Sequence, residues 1–121
     1  MMGRHLMKMR KKFPNTYSFF PLTWMLPIEY HDLRTYFENK PKGKARTFIV
    51  KPEALSQGKG IFLTRKLEEI DQTSHCVVQR YLHKPYLIDG LKFDLRIYVL
   101  VAGVDPLRLY IFNEGLTRFA T

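Results

Sequence analysis

The segment KPYLIDGLKFDLRIYVL, residues 84–100, decides how this sequence folds. Asp89 followed by Gly90 is a strong signal for a tight turn between antiparallel strands. The residues after the turn, 92–102, predict the longest strand of the chain, with side chains alternating between its two faces. The apolar face is predicted to lie in the core and carries Phe93, Leu95, Ile97, Val99 and Val101.

The other face of this strand begins with Lys92, Asp94 and Arg96. Their alternating positions put the three side chains on one side of the strand within roughly 13 Å. Two cations that flank a carboxylate suit a bound anion with a metal or a ribose hydroxyl nearby. The alternative is a solvated strand face with cross-strand ion pairs, each worth under about 1 kcal/mol. We favour the binding site.

A glycine-rich connection lies upstream, between strands predicted at 47–50 and 61–64. Glycines let backbone N–H groups approach a phosphate closely, and a lysine among them adds a mobile positive charge. Lys51 ends the first strand as a second cation, and Pro52 stops that strand. A plain hairpin turn is the alternative, because the spacing matches neither the P-loop nor the Rossmann fingerprint. The candidate phosphate-binding residues of the connection are Gln57, Gly58, Lys59 and Gly60.

A strand predicted at 77–82 ends in a candidate adenine site. Its last residues can present backbone groups to the edge of an adenine and an apolar floor beneath the ring. The residues concerned are Gln79, Arg80, Tyr81 and Leu82. Arg118 follows a turn at 113–115 and is a candidate for an anionic group, with an ordinary surface arginine as the alternative. The histidines show no metal-ligand spacing and Cys76 is interpreted as a buried small hydrophobe, so no metal ligand is predicted.

The N-terminal part of the chain differs in style from the rest. Leu6, Met9 and Phe13 recur at helical spacing and predict a basic amphipathic helix that ends near Pro14. We divide the chain into 1–46, a basic helix with an aromatic and proline-rich segment, and 47–121, the strands and glycine-rich loop predicted to bind a nucleotide. Within 1–46 we further predict an irregular packed segment at 15–30, a helix at 31–39 capped by Asp32 and a flexible loop at 40–46. Within 47–121 we further predict a helical turn at 66–70 and a strand at 108–112 that pairs with the long strand.

Length and charge limit the classes of protein that need to be considered. The chain has 121 residues, which suits one domain, and a net charge of +9. Residues 1–46 hold ten Lys/Arg and three Asp/Glu, which favours a polyanionic partner: nucleic acid, an anionic membrane or an acidic protein tail. A solvated basic face is the alternative. No apolar run approaches the roughly 20 residues that span a bilayer, and one cysteine forms no internal disulfide, so we expect a soluble protein in a reducing compartment.

Several blocks of the sequence follow one another in a recognisable order: FFPLTWMLP at 19–27, IVKP at 49–52, QGKGI at 57–61, VQRY at 78–81, the segment at 84–100, DPLR at 105–108 and EGLTRFAT at 114–121. Together they resemble the tubulin tyrosine ligase-like family. The resemblance covers nearly all of the chain, and within the family it is strongest to the polyglutamylases.

The resemblance implies an incomplete α+β fold of the ATP-grasp type, with mainly antiparallel strands and short helices, in which two subdomains hold ATP. It implies a ligase that activates a glutamate side chain of an acidic tubulin tail as an acyl phosphate, which the amine of free glutamate then attacks. By position, the nucleotide would be bound by Lys51, Gln57, Gly58, Lys59, Gly60, Gln79, Arg80, Tyr81, Leu82, Lys92 and Asp94. Arg96 and Arg118 would meet the γ-phosphate or the incoming amino acid.

The family places its magnesium ligands further toward the C-terminus. Mg²⁺ ligands are therefore expected beyond Thr121, and the chain is expected to be a fragment that is inactive alone. The same resemblance implies tubulin tails or microtubules as partners and a location in the cytoplasm and cytoskeleton, including the cilium axoneme or basal body.

Two alternatives to a ligase fragment are a non-catalytic tubulin-binding fragment and a small basic nucleic-acid-binding module. Nucleic acid is disfavoured, because Lys92, Asp94 and Arg96 alternate with predicted core residues and not with exposed aromatic rings.

Overall fold

A four-stranded antiparallel sheet organises the first of two units in the computed structural model, which describes residues 2–39, 46–53 and 59–120. The units are Met1–His83 and Lys84–Thr121. The strands of the first unit, β1 to β4 in chain order, lie in the sheet order β1-β4-β2-β3. They span Thr23–Leu26, Phe48–Pro52, Phe62–Thr64 and Cys76–Arg80. The helices are α1, Met2–Lys12, and α2, Tyr30–Glu38, with one 3-10 turn at Leu67–Glu69.

One face of this sheet forms the core. Alternation along the strands puts Trp24, Phe48 and Val78 on the same side, and register pairs Trp24 with Val78 across β1 and β4. The Phe48 ring is fully buried and stacks on Phe37 of α2, with ring centroids 4.5 Å apart. Leu33 of α2 is also fully buried. The core therefore depends on α2 covering the apolar face of the central strands.

Most of the predicted elements of this unit are confirmed. The strands on either side of the glycine-rich connection pair as an antiparallel hairpin, and β2 ends at Pro52 as expected. The predicted helical turn near 66–70 is the 3-10 turn, and Cys76 is buried. Helix α1 is also confirmed, although the side chain that it buries is Met7, whereas Phe13 is exposed.

Two predictions in this unit are wrong. The stretch predicted to be irregular contains β1, an edge strand that pairs with β4 between Pro21 and Pro27. The prolines at both ends made this strand of only four residues hard to predict. An edge strand pairs with one neighbour only, so a proline just outside it disrupts no pairing. Asp32 does not cap α2, which begins at Tyr30; it lies inside the first turn and pairs with Lys11.

The second unit consists of strands alone in the described part of the chain. β5, Leu87–Ile88, β6, Leu91–Arg96, and β9, Leu116–Phe119, form one sheet in the order β5-β6-β9. β7, Val99–Val104, and β8, Leu107–Ile111, form a two-stranded sheet, which confirms the predicted pairing. The turn between β5 and β6 is confirmed too: Asp89 has φ 50° and Gly90 φ 74°, the left-handed conformations of a tight hairpin turn.

The long strand predicted at 92–102 is two strands. It breaks after Arg96, and Tyr98, which lies between β6 and β7, accepts a hydrogen bond at its carbonyl from the Phe112 N–H, 3.0 Å. The prediction of a buried apolar face is also wrong: Leu95 is 59% exposed and Val101 55% exposed. Apolar alternation produces a core only where a second layer lies against the strand, and no helix of the described residues in this unit supplies one. The α+β class with mainly antiparallel strands and short helices is nevertheless confirmed.

Phe48→Ala tests the core of the first unit. Removing a fully buried ring should lower the free energy of unfolding by about 3–5 kcal/mol, measured by urea denaturation followed by circular dichroism. Phe19→Ala is the matched control: its ring is 73% exposed, so we expect a loss below about 1 kcal/mol. Equal losses for the two variants would contradict this description of the core.

Candidate functional site

Lys51 lies on the face of the first sheet that is opposite the core. Phe48 and Val50 are buried in β2, and alternation turns Ile49 and Lys51 to the other side. The side chain of Lys51 is partly buried there, and its Nζ donates a hydrogen bond to Oε1 of Gln79 at 3.1 Å. The strand thus fixes the direction of the lysine, and its neighbour fixes the position of the ammonium group.

Gln79 is itself held by a hydrogen bond to Thr23, which is in turn bonded to Pro21. Its Nε2 donates to Oγ1 of Thr23 at 2.9 Å, and the Thr23 hydroxyl donates to the carbonyl of Pro21 at 2.9 Å. Because the hydroxyl proton points to Pro21, Thr23 offers Gln79 a lone pair, so the amide must turn its oxygen toward Lys51. Thr23 is 4% exposed and lies directly opposite Gln79 in the register of β1 and β4. A partly buried chain of neutral groups therefore orients a cation without neutralising it.

The candidate adenine segment leaves the sheet through backbone hydrogen bonds. The Arg80 N–H donates to the Leu22 carbonyl at 2.9 Å, and the Tyr81 N–H donates to the Thr47 carbonyl at 2.8 Å. Both N–H groups are thus engaged within the chain, and any contact with an adenine edge falls to the carbonyls or to Leu82. The Leu82 side chain is 65% exposed. The adenine site stays a prediction.

Only part of the glycine-rich connection can be described. Gln57 and Gly58 lie outside the described residues, as does most of the loop predicted at 40–46. Lys59 and Gly60 are exposed and form the turn that enters β3. Gly60 has φ 72°, a left-handed conformation that suits glycine. The role of this connection as a phosphate cover stays a prediction.

The charged face predicted in residues 84–100 is present in the second unit. Lys92, Asp94 and Arg96 occupy alternate positions of β6, and Arg118 of β9 lies directly opposite Asp94 in the register. The guanidinium of Arg118 donates two hydrogen bonds to the carboxylate of Asp94, from Nε to Oδ1 at 2.8 Å and from Nη2 to Oδ2 at 2.9 Å. This bidentate arrangement favours one mutual orientation of two side chains that are 58% and 60% exposed. The sheet therefore carries three cations around one carboxylate on a single face.

The pKa values reflect this pairing. The hydrogen bond from Arg118 lowers the pKa of Asp94 below its ordinary value and outweighs desolvation, which raises it, and the charges of Arg118 and Arg96 lower the pKa further. The same pair raises the pKa of Arg118. Asp94 is consequently an acceptor at neutral pH and not a proton donor.

Gly115 lets the chain approach Arg96 closely. A Cβ at position 115 would lie 2.6 Å from the Arg96 carbonyl oxygen, a backbone atom that cannot move aside. The turn at 113–115 therefore packs against the end of β6, and an open pocket lined by residues 95–97 and 111–117 lies beside it. Glycine at this position is what allows β9 to begin next to Arg96.

The described residues do not fit a magnesium ion. Across 2–39, 46–53 and 59–120, no group of three His, Cys, Asp or Glu side chains lies close enough to hold a metal. Both carboxylate oxygens of Asp94 accept hydrogen bonds from Arg118, which removes the best acidic candidate on the charged face. No described helix is long and apolar enough to cross a membrane.

The sequence pattern named the charged residues of the candidate site but not Thr23. The threonine lies in a block that was noted for its aromatic rings and prolines, and its partner Gln79 is 56 positions away. Only the register of β1 against β4 reveals the contact.

Comparisons with known proteins agree with the family resemblance of the sequence. The model of the tubulin-tyrosine ligase family matches residues 1–121, and the chain belongs to this family. It is 63% identical over 120 residues to a probable beta-tubulin polyglutamylase of Tetrahymena thermophila, an alignment that covers 99% of this chain and 10% of the relative. It is 50% identical over 121 residues to human tubulin polyglutamylase TTLL6, covering 100% of this chain and 13% of the relative.

A third relative is tubulin polyglutamylase TTLL13 of Mus musculus, 48% identical over 121 residues, with 100% of this chain and 15% of the relative covered. The predicted resemblance is confirmed. The chain spans only 10% to 15% of the length of these three relatives.

Arg118→Gln tests the charged pair. Removing the bidentate donor should return the pKa of Asp94 toward its ordinary value, measured by carbon-13 NMR titration of the carboxyl group. A lowered carboxyl pKa stabilises the folded state above the unfolded value of about 3.9, and that contribution is lost as the pH falls through the lowered pKa. Arg96→Gln should raise the pKa of Asp94 less, because Arg96 acts only through its charge.

Arg65→Gln is the control, since this exposed arginine bonds to Thr47 in the first unit. It should leave the Asp94 pKa unchanged. An Asp94 pKa that is the same with and without Arg118 would rule out the pairing in solution.

Proposed function

We propose that this chain is part of an ATP-dependent ligase that attaches glutamate to glutamate side chains in the acidic tails of tubulin. The observation that carries the proposal is the charged face of β6 and β9, where Lys92 and Arg96 share the face of Asp94 and Arg118 donates two hydrogen bonds to its carboxylate. The names of the relatives support it: a probable beta-tubulin polyglutamylase of Tetrahymena thermophila and tubulin polyglutamylases of human and mouse.

The proposed chemistry needs cations that are already in place. An oxygen of the acceptor carboxylate takes the γ-phosphoryl group of ATP, and ADP leaves. The amine of free glutamate then attacks the activated carbon, loses a proton and displaces phosphate, which leaves an isopeptide bond. Negative charge develops on phosphoryl and carbonyl oxygens during both steps, and preorganised donors stabilise it best. Side chains fixed on strands lose little freedom when they meet that charge.

In the first unit, Lys51 is the residue that we assign to phosphate oxygens. Its ammonium group is oriented by a neutral amide, so its full charge is available to an anion. We assign the exit of β4, Gln79 to Leu82, to the adenine end of the nucleotide, and Lys59 to the phosphates. The Gln79 side chain has the further task of holding Lys51.

In the second unit, we assign Arg96 and Arg118 to the γ-phosphate or to the carboxylate of the incoming glutamate. Asp94 holds Arg118 in the plane in which a guanidinium offers two parallel donors. An anion that approaches this face meets a net charge of about +2, three cations less one carboxylate, so attraction outweighs repulsion at contact distance.

Magnesium is part of the proposal but not of this set of residues. The ion would lower the charge of the phosphates, and its ligands are proposed to come from outside the described residues. Because the proposed substrate is tubulin, the proposed location of the protein is the cytoplasm at the cytoskeleton, including the cilium axoneme or basal body.

The test of the function is transfer of labelled glutamate. The protein that carries this chain should incorporate it into the tails of purified tubulin only when ATP and Mg²⁺ are present. Incorporation of labelled tyrosine or glycine in place of glutamate would contradict the proposed substrate, and incorporation without ATP would contradict the mechanism.

Lys51→Met and Gln79→Met test the phosphate site. Losing the ammonium group should weaken ATP binding more than tenfold by calorimetry, and losing only its anchor should weaken ATP binding severalfold, because Lys51 keeps its charge but not its position. Lys66→Met, at an exposed lysine of the same unit, is the control and should bind ATP normally. If Gln79→Met binds ATP as well as the unaltered protein, the anchoring role is wrong.

A further inference from the structure

Helix α1 presents a basic face that the proposed nucleotide chemistry does not use. At about 100° per residue, Arg4, Lys8, Lys11 and Lys12 fall within an arc of roughly 100°, and all four are exposed. The side of the helix that packs against the unit begins next to Lys11. Met7 is buried about 40° from Lys11 around the helix, and a Cβ at Gly3 would lie 3.4 Å from the Met25 sulfur of β1.

The orientation of α1 is fixed by its contacts, so the basic face has a definite direction. Arg10 donates a hydrogen bond to the Phe20 carbonyl, and its guanidinium lies 5.4 Å from the centre of the Phe20 ring. At the C-terminal end, Lys11 pairs with Asp32 of α2 at 3.3 Å. These contacts prevent the helix from rotating its lysines toward the sheet.

The charge on this face is poorly compensated. Lys11 has Asp32 as a partner, but within the described part of the chain Arg4, Lys8 and Lys12 form no salt bridge. Like charges four positions apart destabilise a helix. The arrangement therefore works against the stability of α1, and an external anion would relieve the repulsion.

A groove continues from the basic face. Lys11 lines an open groove of about 540 Å³ between the end of α1, the edge strand β1 and helix α2. The other lining residues are Trp24, His31, Asp32, Thr35, Tyr36 and Asn39. The rim of the groove thus carries polar side chains, with aromatic rings among its walls.

The spacing of the cations matches an extended peptide. Arg4, Lys8 and Lys12 succeed one another every four residues, which is about 6 Å along a helix. Side chains on the same face of an extended chain repeat every two residues, about 6.6–6.8 Å. Three carboxylates at alternate positions of an acidic peptide can therefore meet these three cations in succession.

We propose that the basic face of α1 and the adjoining groove form a docking site for an acidic, glutamate-rich peptide segment of the protein substrate. The inference rests on the proposed function, in which the acceptor is itself a glutamate-bearing tail, and it names where the part of the tail away from the reacting side chain is held. Charge complementarity selects an acidic peptide as the occupant. The site contributes affinity for the tail and takes no part in the chemical step.

The variant Arg4→Gln/Lys8→Gln/Lys12→Gln tests the site directly. Glutamine keeps helix propensity and removes like-charge repulsion, so circular dichroism should show an intact fold. Fluorescence anisotropy with a labelled peptide of glutamates should show affinity lower by about tenfold and a weaker dependence on salt, since three screened charges are gone. ATP affinity by calorimetry should be unchanged.

A matched control removes the same charge elsewhere. Arg65→Gln/Lys66→Gln/Lys84→Gln alters three exposed cations outside α1 and the groove, and should bind the glutamate peptide normally. Asp32→Asn should tighten peptide binding severalfold, because it releases Lys11 from its carboxylate partner on this face. An effect of opposite sign at one neighbouring position cannot arise from general damage to the fold.

Three results would overturn the inference: equal losses in the α1 variant and the control, a loss of ATP affinity that matches the loss of peptide affinity, or a larger loss for labelled single-stranded DNA than for the glutamate peptide. The last result would mean that the basic face of α1 binds a nucleic acid. Because peptide binding is measured without turnover, failure of glutamate transfer with normal α1-dependent binding would reject the proposed function alone.

Discussion

The two-residue alternation of side chains along antiparallel strands is the constraint on which the candidate site depends. In β2 it turns Phe48 and Val50 into the core and sends Lys51 to the opposite face. In β6 it places Lys92, Asp94 and Arg96 together on one side. A slip of one residue in β2 would turn Lys51 toward the core and the buried side chains away from it, so the core of the first unit and the position of its lysine are set by the same register.

The two anchored cations are held in chemically different ways. Gln79 is neutral, so it orients Lys51 and leaves its charge intact, and its own orientation is dictated by Thr23 and the Pro21 carbonyl. Asp94 is charged, so it orients Arg118 strongly but offsets its charge. A lysine that is held by an amide keeps its full charge for an anion and suits lasting contact with it. An arginine that is held by a carboxylate suits an anion that shares the guanidinium donors with that carboxylate or competes for them.

Local chemistry allowed several elements to be predicted from sequence. The Asp89-Gly90 turn, the hairpin of β2 and β3 and the helix α1 each depend on residues close together in the chain. Edge strand β1 could not be predicted, because its four residues between prolines become a strand only through pairing with β4. The break after Arg96 and the exposure of Leu95 and Val101 were missed because apolar alternation specifies a face and not what covers it.

The same distinction applies to the site. Residue types and spacing made Lys51, Asp94 and Arg118 candidates. The family resemblance implied that Lys51 and Asp94 lie near a nucleotide and that Arg118 meets the γ-phosphate or the incoming amino acid. Their partnerships are invisible in sequence, since Gln79 lies 28 positions from Lys51 and Arg118 lies 24 from Asp94.

A structure of the protein that carries this chain, bound to a non-hydrolysable ATP analogue, tests the central claim most directly. Lys51 Nζ should lie within about 3 Å of a phosphate oxygen while still donating to Gln79. A Lys51 ammonium group turned away from the phosphates, with Gln79 bonded elsewhere, would contradict it.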